Sequence, residues 1–235
     1  MIGIIVQLGI SWLLVWFFEK GNLGFLGFYP TKKRLSDFLL FLFITALCCG
    51  LGAVLKTLIA KQQWELNPQA NFLLIVKGIW WNIKAVLFEE LIFRGVLFYI
   101  LIKKIGTTGA ILISSIAFGI YHWFSQNLFG NPVQMAIMFI TTFIMGLVLA
   151  YSYAKTFSLY ISCAIHLGWN ITQITMLSQG PIGNQLFIKV MPPPVVTVSY
   201  FSYYTMVFLP MVCLYGINFW LIKNKKQQVN TALGK

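Results

Sequence analysis

The chain has 235 residues, of which 59% are hydrophobic and only 9% charged, and its mean hydropathy of +0.81 excludes an ordinary soluble globular domain. The formal net charge of +12 does not indicate a nucleic-acid-binding protein, because only two of the basic residues are arginine and no aromatic residues interleave with a basic run. The composition is typical of a polytopic membrane protein, and the length leaves room for a single transmembrane domain over residues 1–235.

Apolar stretches of membrane-spanning length predict an all-α fold, a transmembrane helical bundle of about seven helices, with six to eight as the range. In chain order, the predicted helices cover residues 2–18, 36–60, 72–102, 105–124, 132–154, 157–178 and 195–222. The third is longer than the hydrocarbon layer requires at a rise of about 1.5 Å per residue, so part of it should lie in the interface or bend. The first is expected to be a retained span, because no small-residue cleavage signal follows its apolar run.

Lysine and arginine are unevenly distributed between the predicted loops. Eleven of the seventeen basic residues fall in the loops of one side, two in the loops of the other side and four inside spans. By the positive-inside rule, this predicts a cell-membrane protein with its N-terminus outside and its C-terminus in the cytoplasm. The prediction requires the long third segment to cross the membrane once.

The glutamate, arginine and histidine residues of the predicted spans are few and fall into three short motifs. An ionised group at the centre of a membrane helix costs about 2.5 to 3.5 kcal/mol on insertion scales, so such groups are functional candidates. The motifs lie about 17 to 26 Å from the predicted cytoplasmic ends of their helices, which favours a shared cavity. Within a motif-bearing core of about residues 85–178, they are Glu89-Glu90-x-x-x-Arg94, Phe118-x-x-x-His122 and His166-x-x-x-Asn170.

Helical spacing separates the roles of the two adjacent glutamates. Glu90 and Arg94 lie four residues apart on one helix face, in the order that favours an ion pair. Glu89 is rotated by about 100° from its neighbour and faces a different environment. Glu90 is therefore predicted to neutralise Arg94 in a structural role, which leaves Glu89 for chemistry. Phe118 lies one turn before His122 and is predicted to support the imidazole ring.

The ordered set of three motifs resembles that of the CAAX-protease and bacteriocin-processing family of intramembrane proteases, also called the Abi family. No motif position departs from the family pattern. The resemblance implies an intramembrane endopeptidase that hydrolyses a peptide bond of a membrane-associated peptide or protein. It also implies that Glu89 activates water as general base and that His122 holds and polarises that water. His166 and Asn170 would then stabilise the oxyanion of the tetrahedral intermediate.

Metal dependence is an open alternative. Glu89, His122 and His166 could form a three-ligand zinc site with water in the fourth position. The chain has no HExxH motif, and these ligands would come from three separate predicted helices. A mechanism without a metal or other cofactor is therefore favoured over one that uses Zn²⁺.

Two interpretations without peptidase activity also stand. A proton-coupled transporter is one, because buried glutamate and histidine chains also serve as proton relays. A non-catalytic membrane scaffold or bacteriocin immunity protein is the other, in which the polar cluster only binds a partner peptide. If the chain is a peptidase, its partners are the lipid bilayer and a membrane-associated substrate, and no residue indicates whether that substrate is prenylated.

Overall fold

The computed structural model describes residues 2–20 and 23–226. This part of the chain contains seven α-helices, which confirms the all-α class and the predicted number of helices. In chain order they are α1 (Ile2–Glu19), α2 (Lys32–Ile59), α3 (Phe72–Phe93), α4 (Val96–Ser125), α5 (Pro132–Thr156), α6 (Leu159–Asn170) and α7 (Tyr200–Lys223). A 3₁₀ turn covers Leu23–Leu26, and a π-helix covers Ile171–Met176.

Among the described residues, three helices are long and apolar enough to span a membrane, namely α2, α5 and α7, and α1 contains a shorter apolar stretch. Their bounds agree with the predicted segments to within a few residues at most ends. This agreement follows from the physics of the bilayer, since a helix must carry about 20 apolar residues to cross the hydrocarbon core. The chain is a membrane protein, as predicted.

The long segment predicted over residues 72–102 is divided in the structure. α3 ends at Phe93, and α4 begins only after Arg94 and Gly95, in agreement with the bend that was one of the two alternatives predicted from the length of this segment. A β-carbon on residue 95 would lie 2.1 Å from the carbonyl oxygen of Leu91. The backbone can therefore take this path only where residue 95 has no side chain.

α4 contains a second interruption. Gly106 has φ 80° and ψ 166°, outside the helical region, and lies close to the predicted boundary between the segments 72–102 and 105–124. A positive φ is readily adopted only by glycine. The predicted boundary therefore corresponds to a bend within α4 and not to a loop.

Two short strands were not predicted. β1 (Trp64–Leu66) and β2 (Phe187–Lys189) pair antiparallel, with Glu65 opposite Ile188. Buried Asn67 continues this ribbon, because its side-chain amide donates to the carbonyl of Gln185 at 2.8 Å. Strands of three residues carry too little alternation to be recognised from sequence.

The chain divides by its internal contacts into two compact units. The first unit contains the described residues of 1–38, 87–163 and 219–235, and the second contains 39–86 and 164–218. The interpretation of residues 1–235 as a single domain stays a prediction.

In the first unit, α4 and α5 pack closely along each other at small residues. A β-carbon on Gly119 would lie 2.7 Å from the ring of Phe139, and one on Gly146 would lie 3.0 Å from the Cα of Ser115. Small residues let membrane helices approach until their backbones are almost in contact. This packing fixes the position of α4, which carries the second motif.

In the second unit, buried amides join helices through hydrogen bonds. Asn82 of α3 donates to the Thr175 hydroxyl at 2.9 Å, and Asn218 of α7 donates to the Thr45 hydroxyl of α2 at 3.2 Å. All four side chains are fully buried. Such bonds fix helix orientation because a polar group in an apolar environment must be paired.

Candidate functional site

The ion pair predicted from the spacing of Glu90 and Arg94 is present at the end of α3. The guanidinium binds the carboxylate with two nitrogens: Nε donates to Oε2 at 2.7 Å, and Nη2 donates to Oε1. Neither side chain has any exposed surface. A buried ion pair is tolerated only with such geometry, because desolvation of the two charges is costly. The pair lies directly before the turn at Gly95. The charges of Glu90 and Arg94 therefore neutralise each other where α3 ends.

The ring of Phe118 lies between this ion pair and the histidine of the second motif. The guanidinium carbon of Arg94 lies 4.5 Å from the centroid of the Phe118 ring. The His122 ring lies 4.5 Å from the same centroid at an interplanar angle of 72°. A desolvated cation–π contact contributes about 2 kcal/mol. Phe118 therefore contacts His122, as its spacing suggests, and also contacts Arg94, which no spacing indicates.

His122 has a defined orientation and tautomer. Its Nδ1 lies 2.7 Å from the carbonyl oxygen of Phe118. Because a carbonyl oxygen can only accept a hydrogen bond, we assign the proton to Nδ1. In the neutral imidazole, Nε2 then carries the lone pair. This is the state in which a histidine can accept a hydrogen bond from water.

Glu89 and Glu90 lie in different environments, as their rotation about the helix axis predicts. Glu90 is fully buried, whereas Glu89 is only half-buried. Glu89 interacts electrostatically with Tyr121, and the Tyr121 ring lies 5.5 Å from the His122 ring at 89°. Glu89 of α3 therefore interacts with the residue that precedes His122 on α4.

Tyr121 is a candidate residue that sequence reasoning missed. Its ring also lies 5.3 Å from that of Phe93, so it is fixed between residues of α3 and α4. A tyrosine in an apolar helix carries no distinctive signal, because aromatic residues are common in membrane spans. Its position next to His122 in the sequence was the one available sign.

The third motif belongs to the second unit. His166 is buried in α6, and Asn170, the last residue of α6, is half-buried. Gly168 lies between them, and a β-carbon there would be 2.6 Å from the carbonyl oxygen of Leu42 in α2. This close approach fixes the helix turn that carries both side chains. The oxyanion site predicted for His166 and Asn170 stays a prediction.

A π-helix follows the third motif without a break. It covers Ile171–Met176, and the Leu177 N–H donates to the carbonyl of Thr172 at 2.9 Å, the five-residue spacing of a π turn. π turns are rare and occur frequently at functional sites. Nothing in the hydropathy of this segment distinguishes it from an α-helix.

The two alternatives for metal dependence both stay predictions. Within residues 2–20 and 23–226, no group of three or more His, Cys, Asp or Glu side chains is arranged to hold a metal ion. The zinc alternative requires Glu89, His122 and His166 as ligands. The favoured alternative requires only that Glu89 and His122 act on a water molecule.

Comparison with known proteins adds a finding on the same residues. A family model described as Rce1-like, type II CAAX prenyl endopeptidase Rce1-like, matches residues 69–172. All three motifs fall within the match. Residues 69–172 are therefore similar to this family. The family resemblance stated from the motifs is thereby confirmed over these residues. No curated protein and no solved structure matches the chain.

The Rce1-like segment corresponds to a defined part of the fold. It contains α3, α4, α5 and α6 and ends within the π-helix, whereas α1, α2 and α7 lie outside it. It therefore contains every candidate residue. The similarity to the Rce1-like family supports the interpretation of the chain as a protease that acts on membrane-associated proteins.

Proposed function

We propose that the chain is an intramembrane endopeptidase of the CAAX-protease type, which hydrolyses a peptide bond of a membrane-associated peptide or protein. One observation carries this proposal: Glu89 of α3 interacts electrostatically with Tyr121, the neighbour of His122 on α4, while Glu90 is held in a buried ion pair with Arg94. The two adjacent acids thus have different environments. One neutralises a cation, and the other faces a histidine-bearing helix.

In the proposed reaction, Glu89 removes a proton from a water molecule as the water oxygen bonds to the carbonyl carbon of the substrate. The carbon–nitrogen bond then breaks, and the proton passes from Glu89 to the departing amine. His122 orients the water through Nε2, because Nδ1 is bound to the Phe118 carbonyl. General acid–base catalysis of this kind contributes about 10²- to 10⁴-fold to the rate.

His166 and Asn170 are proposed to donate hydrogen bonds to the oxyanion that forms on the carbonyl oxygen. They lie four residues apart on α6 and so share a helix face. The buried environment of His166 supports this role, because a donor held away from water is more effective on a developing charge. Loss of one oxyanion donor typically lowers the rate by about 10²- to 10³-fold.

Purified protein should cleave a peptide ending in a farnesylated CAAX sequence, with the released tripeptide identified by mass spectrometry. The matched control is the same peptide without the prenyl group, which should be cleaved more slowly because it partitions less into the membrane. Activity should persist in the presence of a metal chelator. Inhibition by the chelator and recovery with zinc would replace the metal-free mechanism by the zinc alternative. If neither the farnesylated peptide nor its unprenylated control is cleaved, the proposed function is contradicted.

The proposed orientation in the cell membrane places the N-terminus outside and the C-terminus in the cytoplasm. In intact cells, a membrane-impermeant maleimide should label Lys189→Cys but should label Lys226→Cys only after permeabilisation. Both positions are exposed at the protein surface, and the unsubstituted chain with its four native cysteines gives the background. The opposite labelling pattern would invert the topology.

A further inference from the structure

A cavity with basic lining residues lies at one set of helix ends in the first unit. It is formed by the start of α2, the end of α5, the start of α6 and the residues that follow α7. None of its lining residues belongs to the three motifs. The cavity is therefore separate from the candidate functional site, and a ligand bound there does not depend on the proposed peptidase activity.

The cavity is strongly basic. Among the described residues that line it, Lys33, Arg34, Lys225 and Lys226 are basic, and Asp37 is the one acid. Lys225 is bound to Asp37 in an ion pair, so the one carboxylate is already used. Like charges held close together repel one another, and an anion placed among them is stabilised. The excess of positive charge predicts a ligand with more than one negatively charged oxygen.

Contacts around the cavity fix its wall. The Tyr160 hydroxyl donates to the Phe28 carbonyl at 3.2 Å. Gly27 lies so close to the turn after α5 that a β-carbon would be 2.6 Å from the Phe157 carbonyl oxygen. A wall that is fixed before binding loses little conformational entropy when a ligand enters.

Arg34 is also held in place. Its Nη1 donates to the Tyr29 carbonyl at 2.8 Å. A guanidinium has five N–H donors, so this bond leaves others for a ligand. Thr31 and Ser158, each with a hydroxyl group, line the same cavity. Guanidinium, ammonium and hydroxyl donors together match the several oxygens of a phosphate group.

We propose that this cavity binds a phosphate group, either that of an anionic phospholipid headgroup or that of a soluble phosphate. Its position at the ends of α2, α5 and α7, the three membrane-spanning candidates, places it where headgroups lie. Basic pockets between membrane helices are suited to anionic headgroups. The starts of α2 and α6 border the cavity and add the positive ends of two helix dipoles.

The test compares two double variants of the full chain in a neutral detergent. Lys33→Gln with Lys226→Gln removes two exposed cations from the cavity lining. The matched control, Lys32→Gln with Lys223→Gln, removes two exposed cations from the same two helix ends but outside the lining. The thermal unfolding midpoint is measured with phosphatidylglycerol, with phosphatidylcholine and with inorganic phosphate at constant ionic strength.

Phosphatidylglycerol should raise the midpoint of the unsubstituted chain and of the control by about 2 to 4 °C relative to phosphatidylcholine. The cavity variant should show less than half of this shift. A shift with phosphatidylglycerol alone identifies the lipid as the source, whereas a comparable shift with inorganic phosphate identifies a soluble phosphate. The proposal would be overturned if the unfolding midpoints of the two double variants shifted equally. It would also be overturned if neither phosphatidylglycerol nor inorganic phosphate shifted the midpoint of the unsubstituted chain.

Discussion

Glu89→Gln is expected to lower the rate of peptide cleavage by about 10²- to 10⁴-fold, because a carboxamide of the same size cannot accept the proton of the attacking water. The measurement is the initial rate of cleavage of the farnesylated peptide by purified protein. Glu65→Gln is the matched control, since it makes the same chemical change at an exposed acid in β1. Its rate should equal that of the unsubstituted chain.

The same variant should keep its stability. Glu89 is half-buried and is not part of the Glu90–Arg94 ion pair, so its thermal unfolding midpoint should stay close to that of the unsubstituted chain. Glu90→Gln should show the opposite combination of a large loss of stability and no specific loss of proton transfer. Full activity of Glu89→Gln would contradict the proposed mechanism, and so would a rate loss explained entirely by unfolding.

Arg94→Met is expected to lower the free energy of unfolding by about 3 to 5 kcal/mol, because it leaves the Glu90 carboxylate buried without its counter-ion. Methionine keeps much of the length and the contact with the Phe118 ring but removes the charge. The measurement is reversible unfolding of purified protein in mild detergent, with the change in midpoint converted to a free energy. The loss should exceed that of Glu65→Gln, which alters an exposed residue.

The double variant Glu90→Gln with Arg94→Met separates loss of the pair from exposure of an unpaired charge. Removing both charges should recover much of the stability lost in Arg94→Met, since replacing a whole buried ion pair by uncharged groups is often nearly neutral. A double variant no more stable than Arg94→Met would show that the buried charge of Glu90 was not the cause.

The sequence predicts well those features that depend on single helices. The bounds of α2, α5 and α7 follow from the length of their apolar runs. The Glu90–Arg94 pair and the Phe118–His122 contact follow from four-residue spacing within one helix. Both contacts are local, so the neighbours of each residue can be read from the helical repeat.

Contacts between helices could not be predicted in this way. The Arg94 contact with Phe118 and the Glu89 interaction with Tyr121 both join α3 to α4, and their geometry depends on the turn at Gly95. A glycine in an apolar run does not reveal that the Leu91 carbonyl lies where its β-carbon would be. The short ribbon of β1 and β2 was missed for a similar reason, because its pairing joins residues far apart in the chain.

The π-helix after Asn170 changes the angular phase of the chain. A π turn contains about one residue more than an α turn, so everything after it is displaced by about 100° around the helix axis. His166 and Asn170 lie before the shift and keep their common face. Thr175 lies within it and accepts the hydrogen bond of Asn82. The third motif therefore lies before the change of phase, and the hydrogen bond that anchors this segment to α3 lies within it.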